Sequence, residues 1–441
     1  MRFDSLDAWL RWQETLHPAE IELGLERVAA VWAALRPDIA REGFACPVIT
    51  VAGTNGKGSS VAMLEAILAA AGYRVGVYTS PHLLRYNERV RVAGEEAGDE
   101  ALCAAFERVD QARGATSLTY FEFGTLAALD IFAGAAPDAL VLEVGMGGRL
   151  DAVNIVDPDV SLITAIGVDH VQWLGADRDA IAREKAGILR RGRPGIYSGR
   201  ELPEGLVQAA EAAGAPLYVL GRDFSHRAQG GQWTWTAGER RRDALPLPAL
   251  QGRHQLDNAA GVLMALACAG ERLPLGQGAV RDGLLGARLP GRFQVLTGDA
   301  PGEPMRVLDV AHNAEAAAVL AAQLASLPPV RTTRAVVAML ADKDHAAVLA
   351  ALADQVDHWY LADLQGARAA SAAQLAEALS SVFERRGARV PVQRFDTVAA
   401  ACAAALDDTR ADARAAAGEP GERIVVFGSF YTVAEALHSG L

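Results

Sequence analysis

Cysteine is scarce in this chain and does not pair. Cys46, Cys103, Cys268 and Cys402 lie scattered over 441 residues. Their spacing gives neither a zinc signature nor a disulfide framework, and each reads as a small buried apolar side chain. The N-terminus has no basic segment leading into an apolar run, so no signal peptide is expected. No charge-free stretch is long enough to span a bilayer. Positive charge is also in deficit, with 42 Lys and Arg against 54 Asp and Glu, a net charge of −12 and a pI near 5.3. Such a field disfavours nucleic acid and anionic membrane. Neither is expected as a partner, and the expected setting is the cytoplasm. An anionic substrate must then be met by a local basic site.

What is present is a soluble enzyme's composition, 51% hydrophobic and 22% charged, in a chain whose length suits two domains. Residues 4–35 read as amphipathic helices carrying Trp9, Trp12 and Trp32. Pro47-Val-Ile-Thr-Val-Ala52 is a short apolar run ending in glycines, the pattern of a buried strand. A helix from Ser59 to Ala71 and further apolar strands at 73–79, 139–144 and 160–166 follow, with helices between them. That alternation predicts a parallel sheet covered by helices. Residues 196–250 are short, aromatic and glycine-flanked, and read as a small β-rich extension that includes 217–220 and 232–236. A Gly/Pro-rich linker is expected at 297–304. Beyond it, strands at 305–310, 334–340, 357–362, 389–395 and 423–428 predict a doubly wound, Rossmann-like domain. The expected architecture is α/β with two domains, 1–296 and 305–441.

The sharpest motif is Gly53-Thr-Asn-Gly-Lys-Gly-Ser59, set between a strand and a helix. Glycines there let backbone N–H groups converge on phosphate oxygens, and the helix N-terminus adds partial positive charge. Lys57 supplies a point charge for phosphate, and Ser59 stands where a hydroxyl is usually offered to Mg²⁺. A glycine, Gly58, follows the lysine, a departure from the common form of such loops. The bland alternative is a glycine-rich turn without a ligand.

In doubly wound sheets, ligands gather beyond the carboxyl ends of the strands. Ser80, Glu143 and His170 stand at such ends. A hydroxyl, a carboxylate and an imidazole together could hold Mg²⁺, although imidazole is not its usual ligand. Each also has an ordinary role: Ser80 capping a turn before Pro81, Glu143 pairing with Arg149, His170 starting a helix. Lys185, in Arg183-Glu-Lys-Ala-Gly-Ile188, reads on its own as part of a solvated helix face. Asp309, His312 and Asn313 end the first strand of the second domain.

These segments occur in a telling order: Thr54-Asn-Gly-Lys-Gly-Ser59, Thr79-Ser-Pro-His82, Glu143-Val-Gly-Met-Gly-Gly-Arg-Leu-Asp-Ala152, Asp169-His170, Glu184-Lys-Ala-Gly187, Asp309-Val-Ala-His-Asn313 and the late Gly428-Ser-Phe430. Together they resemble the dihydrofolate synthase/folylpolyglutamate synthase family of the Mur ligase superfamily, over nearly the whole chain. The resemblance implies an ATP-binding central domain, a C-terminal glutamate-ligase domain and a monomer. It implies that a carboxylate is phosphorylated by ATP and that the acyl phosphate is attacked by the amino group of L-glutamate. The acids implied are dihydropteroate and reduced folates. Thr54, Asn55, Gly56, Lys57, Gly58 and Ser59 would bind the ATP phosphates. Asn258, near the base, and Arg292 and Asp309 would complete the ATP contacts. Ser80, Glu143 and His170 resemble the Mg²⁺ positions, and a monovalent cation such as K⁺ can accompany the metal. Lys185 matches a lysine that the family carbamylates, which would reverse its charge. Lys57, Lys185 and His312 would be the catalytic group. Thr119, Tyr120, Phe121, Glu122, Leu150, Asp151 and Ala152 match segments that hold dihydropteroate, with an aromatic for stacking and a carboxylate for ring nitrogens. Leu16-His17 would add to them.

Two other readings remain. A Mur-type ligase acting on a cell-wall nucleotide precursor would share the loop, but would carry a separate domain ahead of the loop strand that begins near residue 47. A nucleotide-switched binding protein would use the loop as a sensor. It would not need Glu143, His170 and Lys185 as a set.

Overall fold

One run of strands places the Gly53–Ser59 loop, Ser80 and Glu143 of the first domain. The computed structural model describes residues 2–296, 303–366, 368–415 and 421–440. Its first sheet contains β1 (Val48–Ala52), β2 (Val75–Tyr78), β3 (Val90–Val92), β4 (Glu95–Glu96), β5 (Ala139–Glu143), β6 (Val160–Ile163), β7 (Gly195–Tyr197) and β8 (Leu217–Val219). Their order is β4-β3-β2-β5-β1-β6-β7-β8, parallel from β2 to β8 with an antiparallel hairpin edge at β3 and β4. β1 lies centrally between β5 and β6, and all five of its residues are buried, which explains its unbroken apolar sequence.

Helices cover both faces. Leu140 and Leu142 of β5 enter a core with helices Asp99–Arg113 and Tyr120–Ala135 and with the N-terminal helices, where Trp9 packs on Phe106 and Phe123. Val141 lies between them, is also fully buried, and by strand alternation faces the opposite side. Helix Lys57–Ala70 packs against β1, β2 and β5, and helix His254–Ala269 against β6 and β7.

A small antiparallel sheet follows, β9 (Ser225–Gln229), β10 (Gln232–Ala237) and β11 (Arg240–Pro246). Trp233 and Trp235, two apart on β10, are both buried. Trp235 Nε1 donates to the Ala260 carbonyl at 3.1 Å, which ties this sheet to helix His254–Ala269. The extension is therefore confined to 225–246. The sequence reading also assigned 217–220 to it, but β8 pairs in parallel with β7 on the edge of the main sheet. A three-residue strand shows no readable periodicity, and helix Glu204–Ala213 before it makes it a crossover strand.

The second sheet contains β12 (Gln294–Leu296), β13 (Met305–Asp309), β14 (Thr332–Val337), β15 (His358–Ala362), β16 (Val392–Phe395) and β17 (Glu422–Phe427). Its order is β12-β13-β17-β14-β15-β16, parallel except for β12. The five predicted strands are all present. β12 was placed by sequence in the first domain, whereas chain packing divides the molecule into Met1–Arg288 and Leu289–Leu441. The reason is register: Gln294, Val295 and Leu296 pair antiparallel with Leu308, Val307 and Arg306 of the second sheet. Of the linker expected at 297–304, residues 297–302 lie outside the described residues.

Candidate active site

Because β1, β2, β5 and β6 run in parallel, their carboxyl ends fall along one edge. This edge carries Gly53, Thr79-Ser80, Gly145 and the 164–170 segment.

The loop after β1 is held in a shape that only glycine permits at two points. Gly53 has φ 151° and Gly56 φ 95°. A Cβ on Gly53 would stand 1.8 Å from Thr164 Oγ1, and one on Gly56 2.7 Å from Asn258 Oδ1. Thr54 N donates to the Ala165 carbonyl at 2.8 Å, and Thr54 Oγ1 lies 3.0 Å from both Gly167 O and Gly167 N. The loop is thus stapled to the segment after β6. Gly53→Ala is expected to lower the melting temperature and weaken binding of the nucleotide expected at this loop at least tenfold, since a strained backbone costs about 1–3 kcal/mol before any clash. Calorimetric titration of the variant checks this, and parent-like affinity would count against it.

Two lysines converge on this loop. Lys57 Nζ donates to Gly53 O at 2.9 Å and Thr54 O at 3.3 Å. Lys185 Nζ donates to the same Gly53 carbonyl at 3.0 Å, from a side chain that is almost wholly buried. Burial, helped by the Lys57 charge, pushes Lys185 down to about 7. This corrects the expected solvated helix face. The cause is the glycine-rich segment after β5. A Cβ on Gly148 would come 2.8 Å from Glu184 O, a Cβ on Gly187 would come 2.3 Å from Arg149 Cβ, and Arg149 N donates to Glu184 O at 2.8 Å. That backbone-to-backbone contact draws helix Arg178–Ala186 inward and aims Lys185 at the loop. Arg149 pairs with Glu184 at 2.8 Å, not with Glu143.

Glu143 lies at the edge itself. It is buried, and its Oε2 accepts from Ser80 N at 3.3 Å, so the carboxylate and Ser80 are held together. His170 is half-buried, sits at φ 53° and caps the short helix Val171–Leu174 through its backbone. Its N–H donates to Asp169 Oδ1 at 2.7 Å. Among the described residues no three His, Cys, Asp or Glu side chains converge as a metal cage.

Asn258 lies against Gly56 at the start of helix His254–Ala269. A residue missed by sequence reading, Gln255, connects it to the loop. Gln255 Nε2 donates to Ser59 Oγ at 3.2 Å, and Asn258 Nδ2 donates to Gln255 Oε1 at 3.0 Å. The signal was available, because residues three apart share a helix face.

The segments expected to hold the acid divide in two. Thr119 and Glu122 form a reciprocal capping box at the start of helix Tyr120–Ala135, and Glu122 also pairs with Arg27 at 3.0 Å. Phe121 lies against Gly145, beside Asp151, whose Oδ2 accepts from Met146 N at 2.9 Å and whose Oδ1 accepts from Val153 N at 3.0 Å. Burial pushes the Asp151 carboxyl up to about 6 against those bonds. Tyr120 stacks edge-on with Tyr86, Leu150 is half-buried, and Ala152 joins the core beneath.

In the second unit, Asp309 ends β13. Its Oδ2 accepts from Phe293 N at 2.7 Å and its Oδ1 from Ala311 N at 2.8 Å. Burial raises its pKa, opposed by the Arg292 charge. Arg292 lies over the Phe430 ring at 4.7 Å. The His312 ring is 6.5 Å from the same ring, with Nδ1 2.8 Å from Val310 O. Arg292, Asp309 and His312 are therefore gathered at the carboxyl end of β13.

Comparison with known proteins agrees with this layout. Residues 51–266 match the Mur ligase middle domain and residues 291–430 the Mur ligase glutamate ligase domain. The dihydrofolate synthase/folylpolyglutamate synthase of Escherichia coli K12 is 44% identical over 435 residues, spanning 98% of this chain and 94% of that protein. The structure of E. coli FolC in complex with DHPP and ADP superposes with a TM-score of 0.88 at 43% identity, covering 99% of this chain and 97% of that one. The Yersinia pestis bifunctional enzyme complexed with AMPPNP and Mn gives 0.87 at 45% identity, covering 99% and 98%.

Proposed function

The chain belongs to the dihydrofolate synthase/folylpolyglutamate synthase family of Mur ligases, and from that premise we infer that it joins L-glutamate to dihydropteroate, giving dihydrofolate, and to reduced folates, giving polyglutamates, at the expense of ATP. The observation that supports this best is the meeting of Lys57 and Lys185 at the Gly53 carbonyl, on the sheet edge that also carries the Ser80–Glu143 pair and, at Gly145, Phe121 and Asp151.

A carboxylate is a poor electrophile, and the chemistry must first make one of its oxygens a leaving group. The loop N–H groups and Lys57 hold the nucleotide phosphates and draw negative charge from the γ-phosphoryl as it passes to the acid. The amino group of glutamate then attacks the acyl phosphate carbon. The tetrahedral adduct expels phosphate, the amine loses its proton, and an amide remains. Positioning supplies much of the rate, since three reactants must meet in line. Gln255 and Asn258 hold Ser59 and Gly56 in place for it.

Ser80 and Glu143 suit a hard divalent cation, which prefers oxygen ligands and completes its shell with phosphate oxygens and water. Bound Mg²⁺ would neutralise phosphate charge. We assign His170 to the same ion, and Arg292, Asp309 and His312 to the nucleotide and glutamate.

Lys185 is assigned as a carbamate in the working enzyme. A buried ammonium beside a second ammonium is costly, and with its pKa near 7 much of the amine is neutral at physiological pH. The nitrogen lone pair attacks CO₂, an N–C bond forms, one proton leaves to solvent, and a carbamate anion faces Lys57. No helix among the described residues is long and apolar enough to cross a membrane. The reading places the enzyme in the cytoplasm as a monomer.

The test is a panel assay with Mg-ATP and L-glutamate, offering dihydropteroate and tetrahydrofolate in turn. ADP release should require both acid and glutamate, with one amide formed per ADP. ATP hydrolysis indifferent to the acid would favour a nucleotide-switched protein instead.

A further inference from the structure

Arg89 is a buried cation for which the described residues supply no anion. It ends the turn Tyr86–Arg89 that leads into β3, and only 9% of it is exposed. Its Nε donates to His82 Nδ1 at 2.8 Å, and its guanidinium lies over the rings of Tyr86 and Tyr120 at 5.3 and 5.6 Å. Among the described residues no carboxylate lies within ion-pair distance of it. The nearest acidic neighbour in sequence, Glu88, is turned back to accept from the N–H groups of Leu83, Leu84 and Arg85.

Arg91, two residues on, shows the usual solution. Its Nε and Nη2 grip Glu65 at 3.0 and 2.7 Å. Arg89 has no such partner, and the buried Tyr78 hydroxyl is its other polar neighbour. Aromatic faces offset part of the cost of burying a guanidinium, but an ion taken out of water without a counter-charge stays expensive. A cost kept at the edge of a binding site suggests that a ligand brings the missing charge. The location fits. Tyr120 is one wall of Arg89, and its neighbour Phe121 rests on Gly145 beside Asp151.

We propose that Arg89 is the receptor for a carboxylate of the acid substrate, gripping it through the outer edge of the guanidinium while His82, Tyr86 and Tyr120 fix the plane. This rests on the functional reading above. A planar fork held in this way matches a carboxylate better than a lysine would. His82 must accept at Nδ1, so it is the neutral imidazole with its proton on Nε2. The carboxylate has two possible sources: the reacting carboxylate, common to dihydropteroate and folates, and the α-carboxylate of a glutamyl residue, present only in folates.

Equilibrium binding without ATP separates them. The parent, Arg89→Met and Arg89→Lys would each be titrated with dihydropteroate, with tetrahydrofolate and with a hydroxymethyl-dihydropterin that has no carboxylate. Arg89→Met should bind a carboxylated ligand at least tenfold more weakly and the carboxylate-free pterin within twofold of the parent. Arg89→Lys should recover part of the loss. The Met variant should melt no lower than the parent, since an unpaired buried charge has been removed. Loss with both acids assigns the grip to the reacting carboxylate, and loss with tetrahydrofolate alone assigns it to the glutamyl carboxylate. Unchanged binding of both acids, or equal loss of all three ligands with a lower melting temperature, overturns the proposal. A parent that binds none of the three would instead sink the functional reading.

Discussion

Lys57→Ala should reduce kcat by about 1,000-fold, the scale of losing one preorganised donor to developing charge in a water-excluded site, while the protein stays folded. The fold does not need this side chain. Lys57 donates to the Gly53 and Thr54 carbonyls of the same loop, and the loop is independently stapled through Thr54, Ala165 and Gly167. The nucleotide does need it, because phosphate brings several negative charges to a chain whose net charge is already −12. Steady-state assay and thermal melting on the same sample are sufficient. A folded variant with near-parent turnover would remove the loop assignment.

The second large effect concerns Lys185. Lys185→Ala should lose at least about 100-fold in kcat, and millimolar acetate or another short carboxylate should restore part of it by occupying the space of the missing carbamate. Carbon-13 bicarbonate should give the parent, but not this variant, a carbamate signal. The pH dependence has a definite sign. With the lysine near 7, the neutral amine that captures CO₂ is depleted as pH falls through 7, so the carbamate and the activity should fall on that limb. The Lys57 charge is one cause of the low value. Removing it should raise the Lys185 pKa and move the labelling limb to higher pH. Absence of label, absence of rescue and an unmoved limb would together leave Lys185 as a plain buried amine.

What the sequence discloses and hides here has physical reasons. The loop was legible because Gly53, Gly56 and Gly58 stand between an apolar strand and a helix, a purely local pattern. The alternation of strands and helices was legible on the same ground. Lys185 was not, because Arg183-Glu-Lys has the polarity of a solvated face. The glycine contacts of 148 and 187, between segments far apart in the chain, and the packing of Ile181, Ala182 and Ala186 bury it. One compositional signal was available. Of 42 basic residues only three are lysines, Lys57, Lys185 and Lys343, and two of these meet at one carbonyl. Arg149 illustrates the opposite hazard, since its partner is Glu184 rather than the nearer Glu143. Thr119 and Glu122 form a capping box whose spacing is readable in the sequence, whereas the contact of the neighbouring Phe121 with Gly145 is not. The short strands β8 and β12 needed their pairing partners to be seen at all.

The central claim is that these residues activate a carboxylate by phosphorylation. It is tested most directly with dihydropteroate carrying oxygen-18 in both carboxylate positions. Phosphoryl transfer places one labelled oxygen between carbon and phosphorus, and glutamate attack then breaks the carbon–oxygen bond. One oxygen-18 atom should therefore appear in inorganic phosphate for each amide formed, and one should remain in the amide carbonyl. Phosphate free of label, with amide still formed and ATP consumed, would contradict the account.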